Sequence, residues 1–181
     1  AAVLVTLGGF TIDSLALPGL APLRLGVAAW PVTVFWLVGL SNAMNLVDGV
    51  DGFAGTIAAT AAIALGASAL VQGRPGAALV AACLVGGVAG FLVFNYPPAR
   101  IFMGDVGSGY LGYALGALSL WTVVEGWLTP WAWLILGGAF LADATVTLLV
   151  RAKAGVTLVE AHRSHAYQRL SRHWRAHRPV T

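Results

Sequence analysis

Long stretches without a charged side chain constrain this sequence more than any other feature. Five of them, each about the length of a membrane-crossing helix, occupy residues 25–47, 52–73, 75–99, 106–124 and 126–150. Only the fifth is interrupted, by Asp143. Charged residues make up 9% of the chain, against roughly a quarter in soluble domains. The sequence therefore predicts an all-α membrane protein, a polytopic bundle of about five transmembrane helices.

The positive charges of the chain are concentrated after the fifth stretch. Seven of the ten basic residues lie there, namely Arg151, Lys153, Arg163, Arg169, Arg172, Arg175 and Arg178. Because basic residues beside membrane spans favour the cytoplasmic side, residues 152–181 are predicted to form a basic cytoplasmic segment, not a nucleic-acid site. The single cysteine, Cys83, lies inside the third stretch and is expected to pack as a small apolar side chain.

The position of this basic segment predicts which links between helices share a face. If the stretches are counted backward from this segment, the first and third end on the cytoplasmic side, and the second and fourth start there. Residues 72–75 and 125–130 fall outside, as do residues 8–22, whose Gly, Pro and alternating apolar positions predict a small hairpin. The three polar clusters of the sequence then converge on the cytoplasmic face, as expected of one site.

The start of the sequence and its small residues lead to two further predictions, one about the extent of the domain and one about helix packing. The sequence begins inside an apolar run and without methionine, so residues 1–181 are predicted to be one membrane domain cut inside a preceding helix. Close helix packing is expected where small residues recur. These positions are Gly86, Gly87, Gly90, Gly112 and Gly116.

The first polar cluster reads Asn42-Ala-Met-Asn45-Leu-Val-Asp48-Gly-Val-Asp51-Gly. A spacing of three places Asn42, Asn45 and Asp48 on one helical face, and Asp51 continues it into a turn. Two close carboxylates repel each other unless a cation, a proton or a hydrogen-bond donor compensates them. The cluster therefore favours Mg²⁺ or a substrate group, and a plain turn in which Asp51 caps the next helix is the alternative.

The second cluster, residues 95–109, combines Asn95, Asp105 and Ser108 with three glycines after a Pro-Pro pair. The prolines end the third helix. Asp105 and Ser108 stand near the start of the fourth helix, where free N–H groups and the helix dipole favour anions. A carboxylate beside phosphates indicates a bridging Mg²⁺, which takes oxygen ligands. A capped turn without a ligand is the alternative.

Histidine and arginine alternate in the third cluster, residues 160–169. His162, Arg163 and His165 suit an anionic nucleotide or diphosphate, and zinc is disfavoured because the other clusters offer hard oxygen ligands. A basic tail resting on anionic lipid is the alternative.

Asp143 is an isolated acid about two helical turns before the basic end of the fifth stretch. An ionisable side chain at membrane depth is a functional candidate by default. A structural partner for a neighbouring helix is the alternative.

Together the three clusters resemble the motifs of the polyprenyl-phosphate N-acetylhexosamine-1-phosphate transferases, glycosyltransferase family 4. That family includes the peptidoglycan enzyme phospho-N-acetylmuramoyl-pentapeptide transferase and the transferases that initiate O-antigen. Residues 42–55 look like its asparagine–DGxDG motif, residues 95–109 like N-x-x-P-A-x-x-F-M-G-D-x-G-S, and residues 162–169 like H-R-x-H-x-Y-Q-R. The order and spacing of the motifs agree, and the resemblance covers nearly the whole chain.

The resemblance implies an enzyme, a phospho-sugar transferase of the bacterial inner membrane with its active site on the cytoplasmic face. It would transfer a sugar-1-phosphate from a UDP-sugar to polyprenyl (undecaprenyl) phosphate and release UMP. The product would serve cell-envelope polysaccharide, such as lipopolysaccharide, or peptidoglycan precursor synthesis. The implied cofactor is Mg²⁺, with Mn²⁺ as a substitute.

The same resemblance implies the role of each candidate residue. Asp105 would bind Mg²⁺, with Asp48 as a second candidate ligand. The implied catalytic residues are Asp48, Asp51, Asp105, His162 and His165. The implied substrate-binding residues are Asn42, Asn45, Asn95, Ser108, Asp143 and Arg163.

One departure from the family pattern concerns an adjacent Asp-Asp pair that members carry upstream of the first cluster. No such pair occurs in this chain, and Asp13 stands alone. The family pattern therefore implies helices before this chain and one after the histidine motif. That motif is more similar to the O-antigen type, since the peptidoglycan enzyme has consecutive histidines. This implies a UDP-N-acetylhexosamine donor, or a deoxy sugar.

Two functions of other classes compete with the transferase. A transporter segment would use the acids as an ion path, but it predicts polar residues along the length of a span. A catalytically incomplete membrane scaffold would explain the apolar stretches and the basic segment, but not three polar clusters on one face. The sequence leaves the oligomeric state open.

Overall fold

The computed structural model of this protein describes residues 8–15, 21–155, 166–179 and 181. That part of the chain is mostly helical, which confirms the predicted all-α class. Its helices are α1 Ala29–Val47, α2 Phe53–Val71, α3 Pro75–Asn95, α4 Gly104–Val124, α5 Pro130–Leu136, α6 Gly138–Lys153 and α7 Ala166–Trp174. A 3-10 turn, Gly26–Ala28, leads into α1, and α3 ends two residues before Pro97, as the prolines predict.

Three helical segments of the described residues are long and apolar enough to cross a membrane. They are Gly26–Val47, Phe53–Val71 and Pro75–Asn95. The number rises to four if Pro130–Leu136 and Leu141–Lys153, which meet at an angle of 80°, form one broken span. The membrane assignment is therefore confirmed, with three or four candidate spans among the described residues where the sequence predicts about five.

Two features of the chain explain this difference. Helix α4 has 21 residues, but Gly, Ser and Tyr recur along it together with Asp105, so its mean hydropathy is below that of its neighbours. The fifth stretch does not form one helix because it contains the pair Gly137-Gly138, where α5 ends and α6 begins. Consecutive glycines weaken a helix, because they give the backbone the most freedom to leave it.

A short hairpin precedes α1, as the sequence predicts, although its second strand lies just beyond residue 22. Strand β1, Ser14–Leu15, pairs antiparallel with β2, Leu23–Arg24. The hairpin is joined to α1 through buried Thr33, whose Oγ1 accepts a hydrogen bond from the Ile12 backbone N–H at 2.9 Å.

Close packing of α4 against α1 sets the positions of the polar residues at their ends. A Cβ atom added to Gly112 would lie 2.6 Å from the Leu40 carbonyl oxygen and 2.8 Å from the Ser41 Cα. At Gly116 an added Cβ would lie 3.2 Å from Leu37 Cδ2. The expectation of tight packing at these two glycines is therefore confirmed.

The glycines of α3 differ from those of α4. An added Cβ at Gly86, Gly87 or Gly90 would meet no atom within 4 Å among the described residues. Helix α3 packs mainly on α2 through other positions, with Ala77 and Ala81 buried. The expectation of close packing was thus wrong for these three glycines, because they do not face α2.

The links at residues 72–75 and 125–130 lie together, as the counted topology predicts. Arg74 Nη1 lies 3.4 Å from Glu125 Oε2, and its guanidinium stacks over the Trp127 ring at 5.3 Å. The α2–α3 and α4–α5 links therefore share one end of the bundle. The polar clusters lie at the opposite end.

Candidate active site

The end of α1 and the start of α4 bring the first two polar clusters into contact. Asn45 Nδ2 lies 3.1 Å from Asp105 Oδ1 and 3.0 Å from Ser108 Oγ, and it donates to both. Buried Ser108 in turn donates to the Gly104 carbonyl oxygen at 3.0 Å. Asn45 thus joins the end of α1 to the start of α4.

Asp48 follows directly after α1 and lies half-buried beside the first residue of α4. The pKa of Asp48 is raised to about 6, mainly by burial and to a smaller extent by the nearby charge of Asp105. The hydrogen bond that the Gly104 N–H donates to Asp48 acts in the opposite direction and lowers its pKa. Repulsion between Asp48 and Asp105 means that a positive charge near them would be stabilised. Asp105 itself is exposed in the first turn of α4.

Asn42 lies one helical turn before Asn45 and is exposed. In the described part of the chain, no hydrogen bond from its side chain is formed. Asn42 is therefore free to meet a ligand, whereas the Asn45 amide is already bonded to α4.

The carboxylate of Asp51 contacts different groups from the carboxylate of Asp48. Its Oδ2 accepts a hydrogen bond from the Ala99 backbone N–H at 3.1 Å. A small cavity of about 130 Å³ lies here, lined by Asp48, Gly49, Val50, Asp51, Asn95 and Phe102. The structure thus places Asp51 where the α1–α2 turn meets the α3–α4 loop.

Asn95 is buried at the end of α3 and joins the same two loops. Its Oδ1 accepts from the Gly52 N–H at 2.9 Å, and its Nδ2 donates to the Ile101 carbonyl oxygen at 2.8 Å. Both ends of the amide are therefore occupied by backbone groups.

We expect Asn95→Ala to lower the midpoint of thermal unfolding. The change leaves the Gly52 N–H and the Ile101 C=O without their partner, at about 1–3 kcal/mol for each buried group. Thermal unfolding of the purified protein in detergent checks this. Asn42→Ala is the matched control and should leave the midpoint unchanged. A midpoint for Asn95→Ala equal to that of the control would contradict the structural role of Asn95.

Helix α7 covers the α1–α2 turn through Tyr167. The Tyr167 O–H donates to the Leu46 carbonyl oxygen at 2.6 Å, and its ring stacks on Phe53 with centroids 4.9 Å apart. Burial and the charges of Asp143 and Asp48 raise the pKa of Tyr167. A Cβ atom at Gly49 would lie 2.7 Å from both the Tyr167 oxygen and Gln168 Nε2, so a larger residue would require these two side chains to move.

Asp143 is not isolated within the bundle, because it contacts the start of α7. Its Oδ1 accepts a hydrogen bond from the backbone N–H of Ala166, the first residue of α7, at 2.7 Å. A carboxylate at a helix N-terminus is stabilised by the free N–H groups there. With Thr147, Arg151 and Arg169, Asp143 lines a cavity of about 240 Å³.

Comparison with known proteins identifies the family of this chain. Residues 1–123, more than half of the chain, match the family model described as glycosyl transferase family 4. The chain belongs to this family. It is also similar to the phospho-N-acetylmuramoyl-pentapeptide-transferases of Streptococcus pneumoniae serotype 2 (strain D39) and serotype 19F (strain G54). Each is 41% identical to it over 128 residues, which are 71% of this chain and 38% of the relative.

The chain spans about two fifths of the length of these relatives (38%). The family match contains the first two clusters but ends before the third. His162, Arg163 and His165 also lie outside the described residues. The likeness to O-antigen enzymes, which depends on those histidines, therefore stays a prediction.

The acidic residues of the candidate site are suitable ligands for Mg²⁺. The described residues contain no group of three or more His, Cys, Asp and Glu side chains that could hold a metal. Mg²⁺ does not require one, because it keeps several waters and binds through one or two carboxylates together with substrate phosphates. Asp48 and Asp105 provide such a pair of carboxylates.

Three residues of the site were not singled out by the sequence patterns. Tyr167 lies inside the histidine motif, and the motif itself could have pointed to it. His177 and Thr181 contact Asp51, but they stand in a segment whose composition suggests only a basic tail. Nothing in their spacing indicates a partner 126 or 130 residues earlier.

Proposed function

We propose that the protein to which this chain belongs transfers a sugar-1-phosphate from a UDP-sugar, of the N-acetylhexosamine type, to polyprenyl phosphate and releases UMP. The observation that carries the proposal is the apposition of Asp48 and Asp105, which Asn45 and the start of α4 hold together. Membership of glycosyl transferase family 4 supports this reaction class.

In the proposed reaction, an oxygen of the polyprenyl phosphate attacks the sugar-bearing phosphorus of the UDP-sugar. A new P–O bond forms, the P–O bond to UMP breaks, and the leaving UMP carries the electron pair of that bond. Phosphoryl transfer of this kind needs positioning and charge stabilisation more than covalent catalysis. Mg²⁺ bound by Asp105 and Asp48 would neutralise charge on the diphosphate oxygens.

The other residues of the chain would bind and orient the two substrates. Exposed Asn42 lies on the same face as the acidic pair and is proposed to contact the nucleotide. Asn45 holds Asp105 in place, and the start of α4 offers N–H groups to an anion. The side chains of His162, Arg163 and His165 are proposed to bind phosphate or sugar, as the family resemblance implies.

Substrate turnover provides the direct test of this proposal. The complete protein, purified in detergent, should release UMP when given UDP-N-acetylglucosamine, undecaprenyl phosphate and Mg²⁺. Chelation with EDTA should stop the release, and added Mg²⁺ or Mn²⁺ should restore it. A panel of UDP-sugars then identifies the donor. No release from any member of the panel, by protein that unfolds cooperatively, would overturn the proposal.

A further inference from the structure

We propose that His177 is a positioning residue for the proposed transfer reaction, because it holds the Asp51 end of the acidic turn (residues 48–52) in its working conformation. This inference rests on the proposed function. No sequence motif marks His177, and it lies beyond α7 in a segment whose composition predicts only a charged tail.

The contact between His177 and Asp51 is direct. His177 Nδ1 lies 3.1 Å from Asp51 Oδ2 and 3.3 Å from the Asp51 backbone nitrogen. One ring nitrogen cannot donate to the carboxylate and accept from the amide at once. We assign the proton to Nδ1, because a hydrogen bond to a carboxylate is the stronger of the two. The Asp51 side chain is 18% exposed and that of His177 is 41% exposed, so the carboxylate is the more buried partner of this contact.

The same carboxylate oxygen also accepts the Ala99 N–H. Asp51 Oδ2 thus joins three segments, namely the acidic turn, the α3–α4 loop and the chain after α7. Losing the His177 donor would leave the carboxylate with one partner instead of two. The α3–α4 loop leads directly into Asp105, so movement at Asp51 is transmitted to the acidic pair.

Two neighbours of His177 strengthen the contact. Thr181 Oγ1 donates to the Asp51 carbonyl oxygen at 2.7 Å, and Arg178 Nε donates to the Pro97 carbonyl oxygen at 3.0 Å. The Thr181 methyl group would lie 2.8 Å from a Cβ atom at Gly52, where φ is +75°. The segment after α7 therefore fits against a backbone that only glycine can provide.

His173 offers a matched control for His177. It is exposed on α7, four residues earlier in the same basic segment. Replacing either histidine with alanine changes the composition of the segment equally, but only one replacement removes a contact to Asp51. His177→Asn gives a second comparison, because its amide can place a donor near the position of Nδ1.

We expect His177→Ala in the complete protein to lower kcat for UMP release about tenfold, since misplacing a catalytic group by about 1 Å costs up to a hundredfold. KM for the UDP-sugar should change less than kcat. His177→Asn should recover most of the rate, and His173→Ala should match the wild type. A kcat for His177→Ala within twofold of the wild type, or an equal loss in His173→Ala, would overturn the inference.

Hydrogen exchange tests the contact without substrate. His177→Ala should speed amide exchange at residues 51–53 and 99, and His173→Ala should not. Unchanged exchange would overturn the inference even if kcat falls. If the wild-type protein releases no UMP, the proposed function fails, while the exchange measurement still decides whether His177 holds the turn.

Discussion

Asp105→Asn is expected to reduce UMP release by at least about a thousandfold, because the proposed Mg²⁺ site loses a carboxylate ligand and the reacting phosphate loses the charge stabilisation of the metal. The substitution keeps the shape of the side chain. Its amide oxygen can still accept the hydrogen bond from Asn45 that Asp105 Oδ1 accepts at 3.1 Å. The fold should therefore survive while the negative charge is removed. The rate of UMP release under saturating Mg²⁺ measures the effect.

Asp13→Asn is the control for Asp105→Asn, since it makes the same chemical change at an exposed position in the hairpin before α1. It should retain the wild-type rate. Equal unfolding temperatures for the two variants would show that charge, not stability, explains the difference. Wild-type turnover by Asp105→Asn would remove Asp105 from the proposed metal site.

Gly112→Ala is expected to destabilise the fold by roughly 1–3 kcal/mol through overpacking, and so to lower the unfolding temperature. It should also disturb the candidate site at Asp105, which lies about 10 Å before Gly112 along α4. The new methyl group would lie 2.6 Å from the Leu40 carbonyl oxygen and 2.8 Å from the Ser41 Cα. Both atoms belong to the backbone of α1, so a change of side-chain rotamer cannot relieve the clash. The two helices must move apart, and the Asn45–Asp105 hydrogen bond joins these same two helices.

Gly90→Ala provides the control for Gly112→Ala, because an added Cβ there meets no described atom within 4 Å. Alanine also favours a helix by up to about 1 kcal/mol over glycine. The control should therefore be as stable as the wild type or slightly more so. Thermal unfolding in detergent, with UMP release measured on the same samples, separates the two effects. Equal stability of both variants would contradict the packing of α1 on α4.

The helices could be predicted from the sequence because their limits depend on local signals. Val47, Asn95 and Val124 end α1, α3 and α4 where a charged residue or a proline pair interrupts the apolar stretch. The break at Gly137 was not predicted, since the uncharged run continues through it. Run length measures hydrophobicity, whereas a bend depends on backbone freedom and on neighbouring helices.

Prediction of the candidate site had a similar limit. The motif spacing correctly placed Asn45 and Asp48 near Asp105, because both lie at helix ends that the counted topology brings to one side. The different burial of Asn42 and Asn95 could not be predicted from the motif spacing. Both are asparagines in polar clusters, yet one is exposed and the other is 4% exposed and bonded to two backbone groups.

The contact of α7 and the following residues with the acidic turn has a consequence for how the protein is made. Synthesis proceeds from the N-terminus, so α1 and the turn after it leave the ribosome before Tyr167, His177 and Thr181 exist. The end of α1 then lacks the Tyr167 bond to Leu46, and the turn lacks the Thr181 bond to Asp51. Helices can enter the membrane during this interval, but the acidic turn reaches its final shape only when the late segment folds back over it.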